Sequence, residues 1–184
     1  MNASEYMVHW REKTIWNNLK LHYHQSRFRK CADLAVGKRI VDVGCALGHS
    51  TEWLRKMKPG AKWHGLDFDK AAVRDARKLF PNLRFSYSPT IIDFANFFEK
   101  GFDSVVCSEV IEHVEDDAEF VHHLKRVARR RVVLTTPVKY VNDPGHLRLY
   151  SEADLRGLCA PERCEITRDK MFYYVLIHIA ETDA

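Results

Sequence analysis

The chain has no apolar run long enough to cross a bilayer. Its longest, MFYYVLIHIA from Met171 to Ala180, holds ten residues and one histidine and reads instead as a core strand. The first ten residues, MNASEYMVHW, show no basic start followed by an apolar core, so no signal peptide is expected. Low-complexity linkers and internal repeats are missing as well, which excludes solenoids and tethered modules. Cysteines are few, odd in number at five and without a close pairing pattern. That excludes a disulfide framework and suits a reducing compartment, so the expected location is cytoplasmic, with no membrane insertion. Charge of one sign is also lacking. The formal net charge is only +4, and a balance so mild is weak evidence for a nucleic-acid partner.

What is there is enough chain, 184 residues, for one domain with a full hydrophobic core. Residues 1–35 read as helical, with Trp10, Ile15, Trp16, Leu19, Tyr23, Phe28 and Leu34 spaced among polar residues. After Gly37, strands and helices alternate. Strands are expected at 39–44, 63–67, 83–87, 102–107 and 131–136, with helices between them. Val41-Asp42-Val43, Ser104-Val105-Val106 and Val132-Val133-Leu134 are short, nearly all-apolar runs, as parallel strands covered on both faces require. Ser50 or Thr51 is placed to open the first helix of this region, and Asp69 the next. Glu115, Asp116 and Asp117 open a helix that ends in Arg126, Arg129 and Arg130, a polarity that complements the helix dipole. Ser151 with Asp154 resembles a capping box. Residues 162–168 and 171–179 read as an antiparallel pair at one edge. The expected fold is therefore α/β, a doubly wound, mostly parallel seven-stranded sheet with a C-terminal antiparallel hairpin. The expected organisation is a single domain, 1–184, with residues 1–35 as a helical lid and 37–184 as the α/β core.

The stretch KRIVDVGCALGHS, residues 38 to 50, joins the first strand to a glycine turn and the start of a helix. A dinucleotide fingerprint G-x-G-x-x-G fails here, because Ala46 and His49 stand at its second and third glycines. Asp42, two residues before the turn, would also repel a pyrophosphate. It suits a ligand with a cationic end. S-adenosylmethionine has that character, with a sulfonium, an ammonium and a small carboxylate that a helix N-terminus can hold.

On these residues the chain resembles the class I S-adenosylmethionine-dependent methyltransferases over roughly residues 37 to 160. VDVGCALGHS is similar to that family's first motif, with Ala46 at the middle glycine. GLDFD is similar to its second, and FDSVVCSEVIEHV to its fourth strand and the turn that follows. The resemblance implies a Rossmann-like fold and a cofactor site. In it Asp67 accepts the ribose hydroxyls, Phe68 lies on the adenine, and Gly44 and Gly48 let the backbone approach the methionine end. Asp42 orders the turn and a water or ammonium. Cys45 and Ala46 belong to the same turn, Ser108 ends the fourth strand beside it, and Ser88 is the candidate near the adenine amino group. Arg27, in the segment before the first strand, is placed to pair with the ligand carboxylate or to lie on a solvated helix face. Cys45 and Cys107 read as small buried fillers rather than nucleophiles.

Glu109, Glu112 and His113 stand at i, i+3 and i+4, so one helical turn would put them on one face. His146 follows the fifth strand. This Glu-x-x-Glu-His set with a later histidine resembles two metal-using groups, the small-RNA 3′-terminal 2′-O-methyltransferases and the ubiquinone-pathway O-methyltransferases. In the first of these the run Thr135-Thr136-Pro137 also has a counterpart. The resemblance implies that Glu109, Glu112, His113 and His146 are catalytic and hold Mg²⁺ or Mn²⁺. The alternative is a metal-free site in which His113 serves as a plain base. A hydroxyl acceptor must lose a proton in methyl transfer, so such a set points to oxygen. The expected function is S-adenosylmethionine-dependent O-methylation of a small-molecule acceptor. RNA 2′-O-methylation and a non-catalytic cofactor-binding subunit are the alternatives. The walls of the acceptor pocket would come from residues 1–35, from the 137–150 loop, or from the second subunit of a homodimer.

Overall fold

A computed structural model describes residues 22–139, 143 and 145–180. The elements follow in the order α1 (His22–Leu34), β1 (Arg39–Val43), α2 (His49–Met57), β2 (Lys62–Asp67), α3 (Lys70–Leu79), β3 (Arg84–Tyr87) and α4 (Ile91–Phe97). Then come β4 (Phe102–Ser108), a 3₁₀ turn (Ile111–His113), α5 (Asp117–Val127), β5 (Ala128–Pro137), α6 (Glu152–Cys159), β6 (Cys164–Arg168) and β7 (Phe172–His178). The seven strands form one sheet in the order β3-β2-β1-β4-β5-β7-β6. Strands β1 to β5 pair in parallel, while β7 runs antiparallel to both β5 and β6. The strand order reverses between β1 and β4. In an open α/β sheet that is where a crevice forms beyond the carboxyl ends of the strands.

Both faces of the sheet are covered, which is why its central strands carry almost no polar residues. On one side β1, β4, β5 and β7 present Val41, Val43, Val105, Val132, Leu134 and Val175 to helices α4, α5 and α6, through Phe94, Phe120, Leu124 and Leu155. On the other side Ile40, Val106, Val133 and Leu176 meet Phe28, Cys31 and Ala32 of α1 and Leu54 of α2. Strand alternation places Asp42 on this second side, with Ile40.

Helix α1 therefore belongs to the core. The sequence reading takes all of 1–35 as a lid, but Phe28, Cys31, Ala32 and Ala35 are buried against the sheet. Residues 1–21 of that segment lie outside the described residues. Two other local expectations change. Helix α2 starts at His49, with Gly48 as its cap and no capping side chain. The hydroxyls of Ser50 and Thr51 turn inward to Asp42 instead, each at 2.7 Å. Arg129 and Arg130 extend β5 rather than end α5, because the helix stops at Val127 and Ala128 pairs with Phe102. Asp69 accepts from Ala71 and Ala72 as the cap of α3, and Ser151 with Asp154 forms a full capping box on α6.

Candidate active site

The turn after β1 is held in a backbone conformation that few residues tolerate. Gly44, Ala46 and Gly48 have φ of +80°, +46° and +82°. Ala46 thus adopts the left-handed geometry of a glycine, at a cost of about 1–2 kcal/mol. The amides of Gly44 and Cys45 both donate to the Leu66 carbonyl, at 2.9 and 3.0 Å, which ties the turn to β2. A β-carbon at Gly44 would overlap the Val110 side chain, so the turn lies directly against the segment after β4. At Gly48 a β-carbon would come within 2.6 Å of the Phe85 ring.

Two carboxylates flank this turn. Asp42 is 2% exposed and accepts the Ser50 and Thr51 hydroxyls at one oxygen. Burial pushes its carboxyl up to about 6, against the pull of those two hydrogen bonds. Asp67, at the end of β2, accepts from the Ala46 amide at 2.7 Å with one oxygen and from the Asp69 amide at 2.8 Å with the other. Both oxygens are thereby fixed in place beside the turn. Burial raises this carboxyl as well. Phe68 follows it, half-buried and edge-on to Phe120. Ser88 sits next to Asp67, donating its amide to the Asp67 carbonyl at 3.2 Å and its hydroxyl to the Thr90 carbonyl at 2.9 Å.

The segment after β4 bends sharply. Glu109 has a left-handed φ of +58°, and Ile111–His113 form a 3₁₀ turn rather than an α-helix. The single α-helical face expected for Glu109, Glu112 and His113 does not form. Glu109 turns toward Arg27, whose Nη1 lies 3.5 Å from its carboxylate, and accepts the Thr135 hydroxyl at 2.9 Å. Thr135 is also hydrogen-bonded to Ser108 at 2.9 Å. Arg27 is buried, its guanidinium lies between the Phe28 and Phe172 rings at 4.9 and 4.7 Å, and its Nε has no hydrogen-bond partner.

Glu112 and His113 turn instead toward His146. One ligand atom from each of these three residues lies within 4.8 Å of the others. The His113 and His146 rings meet edge to face, 4.7 Å between centroids. Glu112 is fully buried, and neither of its oxygens has a hydrogen-bond partner. The Thr136 hydroxyl and Nδ1 of His146 are likewise buried without one. Desolvation raises the Glu112 carboxyl far above the usual range, and the Glu109 charge adds to it. The same desolvation lowers both histidines, so the imidazoles are neutral at neutral pH. Nδ1 of His113 lies 2.8 Å from the Gly145 carbonyl. A carbonyl only accepts, so the ring proton is on Nδ1 and Nε2 carries the lone pair.

A family model for a methyltransferase domain matches residues 41–134, just over half the chain. The chain belongs to the methyltransferase domain family. A ubiquinone biosynthesis O-methyltransferase from Alkalilimnicola ehrlichii is 35% identical over 116 residues, 61% of this chain and 44% of that protein. The chain thus spans less than half the length of that relative. Among solved structures, an O-methyltransferase family protein from Burkholderia thailandensis superposes with a TM-score of 0.75 over 98% of this chain and 63% of its own, at 13% identity. The magnesium protoporphyrin IX methyltransferase of Synechocystis PCC 6803, with bound SAH, gives 0.66 over 85% and 84%, at 19% identity. Likenesses at such identities speak for the fold.

Within this methyltransferase domain, the residues singled out from the sequence fall into three groups. Asp42, Gly44, Cys45, Ala46, Gly48, Asp67, Phe68 and Ser88 surround the glycine turn. Arg27, Ser108 and Glu109 gather around Thr135. Glu112, His113 and His146 form the third. Cys45 and Cys107 are buried free thiols raised well above the usual range by burial, as fillers would be. Sequence reasoning passed over the Thr135 contact to Glu109 and the Gly145 carbonyl that orients His113. Both depend on contacts between segments more than 25 residues apart, for which one sequence carries no periodic signal.

Proposed function

We propose that this methyltransferase domain binds S-adenosylmethionine at the glycine turn and transfers its methyl group to a hydroxyl of a small molecule. A divalent cation, Mg²⁺ or Mn²⁺, would be held by Glu112, His113 and His146. The observation that carries this reading is Glu112, a fully buried carboxylate with no hydrogen-bond partner and two neutral imidazoles beside it. An isolated buried carboxylate costs several kcal/mol unless a proton or a cation neutralises it. A carboxylate oxygen and two imidazole nitrogens are a donor set that a divalent ion accepts, and they converge without any rearrangement of hydrogen bonds at Glu112. The O-methyltransferase name of the Alkalilimnicola ehrlichii relative and the SAH in the Synechocystis structure support the choice of cofactor and acceptor atom.

S-adenosylmethionine supplies the electrophilic methyl, and a bound cation supplies Lewis acidity that lowers the acceptor hydroxyl's pKa. The chain's own residues do the rest. Asp67, with both oxygens already oriented by amides, accepts from the ribose hydroxyls through its remaining lone pairs. Asp42 places negative charge near the ligand's ammonium end. The unfilled Nε of Arg27 offers a donor to the ligand carboxylate. Methyl transfer is an in-line displacement, so holding the acceptor beside the turn supplies much of the rate. His113 keeps its ring proton on Nδ1 and so offers Nε2 to the cation, and the proton of the acidified hydroxyl leaves to solvent. The free thiols fit a cytoplasmic enzyme.

The test is a screen of hydroxylated small molecules with methyl-labelled S-adenosylmethionine, run with Mn²⁺ or Mg²⁺ and again with chelator, on the protein and on Glu112→Gln. Label transfer that is lost with chelator and in Glu112→Gln is the expected result. Transfer that survives chelation removes the cation from the reading. No binding of S-adenosylmethionine by calorimetry removes the cofactor.

A further inference from the structure

His146 sits where regular structure cannot position it. Among the described residues between the end of β5 at Pro137 and the start of α6 at Glu152, none belongs to a helix or strand. No ladder of backbone bonds therefore sets the His146 ring against Glu112 and His113. A set of bonds to the neighbouring segments, most of them from side chains, does so instead. The Leu147 amide donates to the Glu112 carbonyl at 2.8 Å, and His113 Nδ1 to the Gly145 carbonyl at 2.8 Å. Arg148 reaches back with both terminal nitrogens, Nη1 to Asp117 at 2.7 Å and Nη2 to the Glu115 carbonyl at 2.6 Å. The buried Tyr150 hydroxyl lies 2.8 Å from the same Asp117 oxygen and 3.1 Å from the Ile111 carbonyl. Its single proton goes to the carboxylate, the stronger acceptor, with the carbonyl as the weaker branch.

Asp117 is thus the point at which the two halves of the cluster are joined. It stands in the first turn of α5, a helix capped by Asp116 and packed through Phe120, Val121 and Leu124 into the core. One carboxylate oxygen receives a guanidinium and a phenol from the segment that carries His146. The same guanidinium and phenol also touch carbonyls of Ile111 and Glu115, on either side of Glu112 and His113. Burial and the Asp117 charge together hold the Tyr150 phenol in its protonated, donating form. We propose that Asp117, Arg148 and Tyr150 are positioning residues that clamp the His146 segment to the Ile111–His113 turn and so set the geometry of the Glu112–His113–His146 cluster. The catalytic consequence rests on the methyltransferase reading above; the geometric one does not.

The clamp is read directly from the nuclear Overhauser effect between the ring protons of His113 and His146, in protein free of cofactor and metal. Tyr150→Phe removes both hydroxyl bonds and keeps the ring, and the double variant with Arg148→Ala removes every side-chain bond to Asp117, leaving only the Leu147–Glu112 and His113–Gly145 bonds. The expected result is a weaker effect in the single variant and a weaker one still in the double. With an acceptor from the screen, kcat should fall by ~10–100-fold, as for other residues that orient a site from behind, while KM for S-adenosylmethionine stays unchanged. A clamp that only stabilised the fold would lower the melting temperature and leave both readouts as they are. Full retention of the ring contact in a folded double variant overturns the inference. If the double variant does not fold, full retention of contact and kcat in Tyr150→Phe does so. Weakening of the contact supports the inference whether or not the wild type transfers methyl, so failure of the methyltransferase reading shows separately, as absent transfer in the wild type.

Discussion

Replacing Asp42 by asparagine should make the protein more stable and a poorer cofactor binder, and the stability gain should depend on pH in a defined way. The carboxyl of Asp42 is displaced from 3.8 to about 6, chiefly by burial. Below about pH 4 it is protonated in the folded and unfolded chain alike and contributes nothing. Between 3.8 and about 6 the unfolded chain has ionised and the folded one has not, so the folded state binds more protons. Each unit of rising pH across that window therefore removes about 1.4 kcal/mol of stability. Above about 6 both forms are ionised, and the deficit stays near 3 kcal/mol. Asparagine keeps an oxygen for the Ser50 and Thr51 hydroxyls at 2.7 Å but has no charge to desolvate. An amide hydrogen left unsatisfied would cost about 1–3 kcal/mol, but that cost does not change with pH. Urea denaturation of both proteins from pH 4 to 8 should thus show curves that diverge by about 2 kcal/mol between pH 4 and 6 and become parallel above about 7. In melting temperature that divergence is about 4–8 °C for a chain of this size. Saturating S-adenosylmethionine should narrow the gap, because its cationic end stabilises the ionised wild-type carboxylate. Curves that stay parallel over the whole range would refute the burial argument. Carrying such a charge against stability is what a ligand site does.

Two further predictions test the cofactor turn and the core. Asp67→Ala removes the acceptor proposed for the ribose hydroxyls and frees the Ala46 amide, so calorimetry should show S-adenosylmethionine binding weakened by about 1.5–3 kcal/mol; unchanged affinity would remove Asp67 from the site. Phe28→Ala opens a cavity under α1, where the ring is buried against the sheet, and should destabilise the fold by about 3–5 kcal/mol in denaturant titration. A loss below about 1 kcal/mol, the range of surface changes, would mean that α1 is a cover and not core.

Much of this protein is a matter of local pattern, and for that reason its sequence alone determined it. Short runs such as Val132-Val133-Leu134 need cover on both faces, so alternating helices and a parallel sheet followed. Gly44 and Gly48 mark backbone that must turn left-handed, and Asp69, Ser151 and Asp154 cap helices through bonds within three residues. Tertiary structure decided what depends on distant partners. Whether α1 covers the site or builds the core was set by Phe28 and Cys31 meeting Ile40 and Val106, which no helical periodicity reveals. The division of Glu109 from Glu112 was settled by a left-handed residue and a 3₁₀ turn, where α-helical spacing had placed them together. Thr135 and Arg27 then claimed Glu109, and a loop held by Asp117, Arg148 and Tyr150 brought His146 to Glu112 and His113. These are contacts across 26 or more positions, and spacing along a chain says nothing about which side chains meet once the chain has turned.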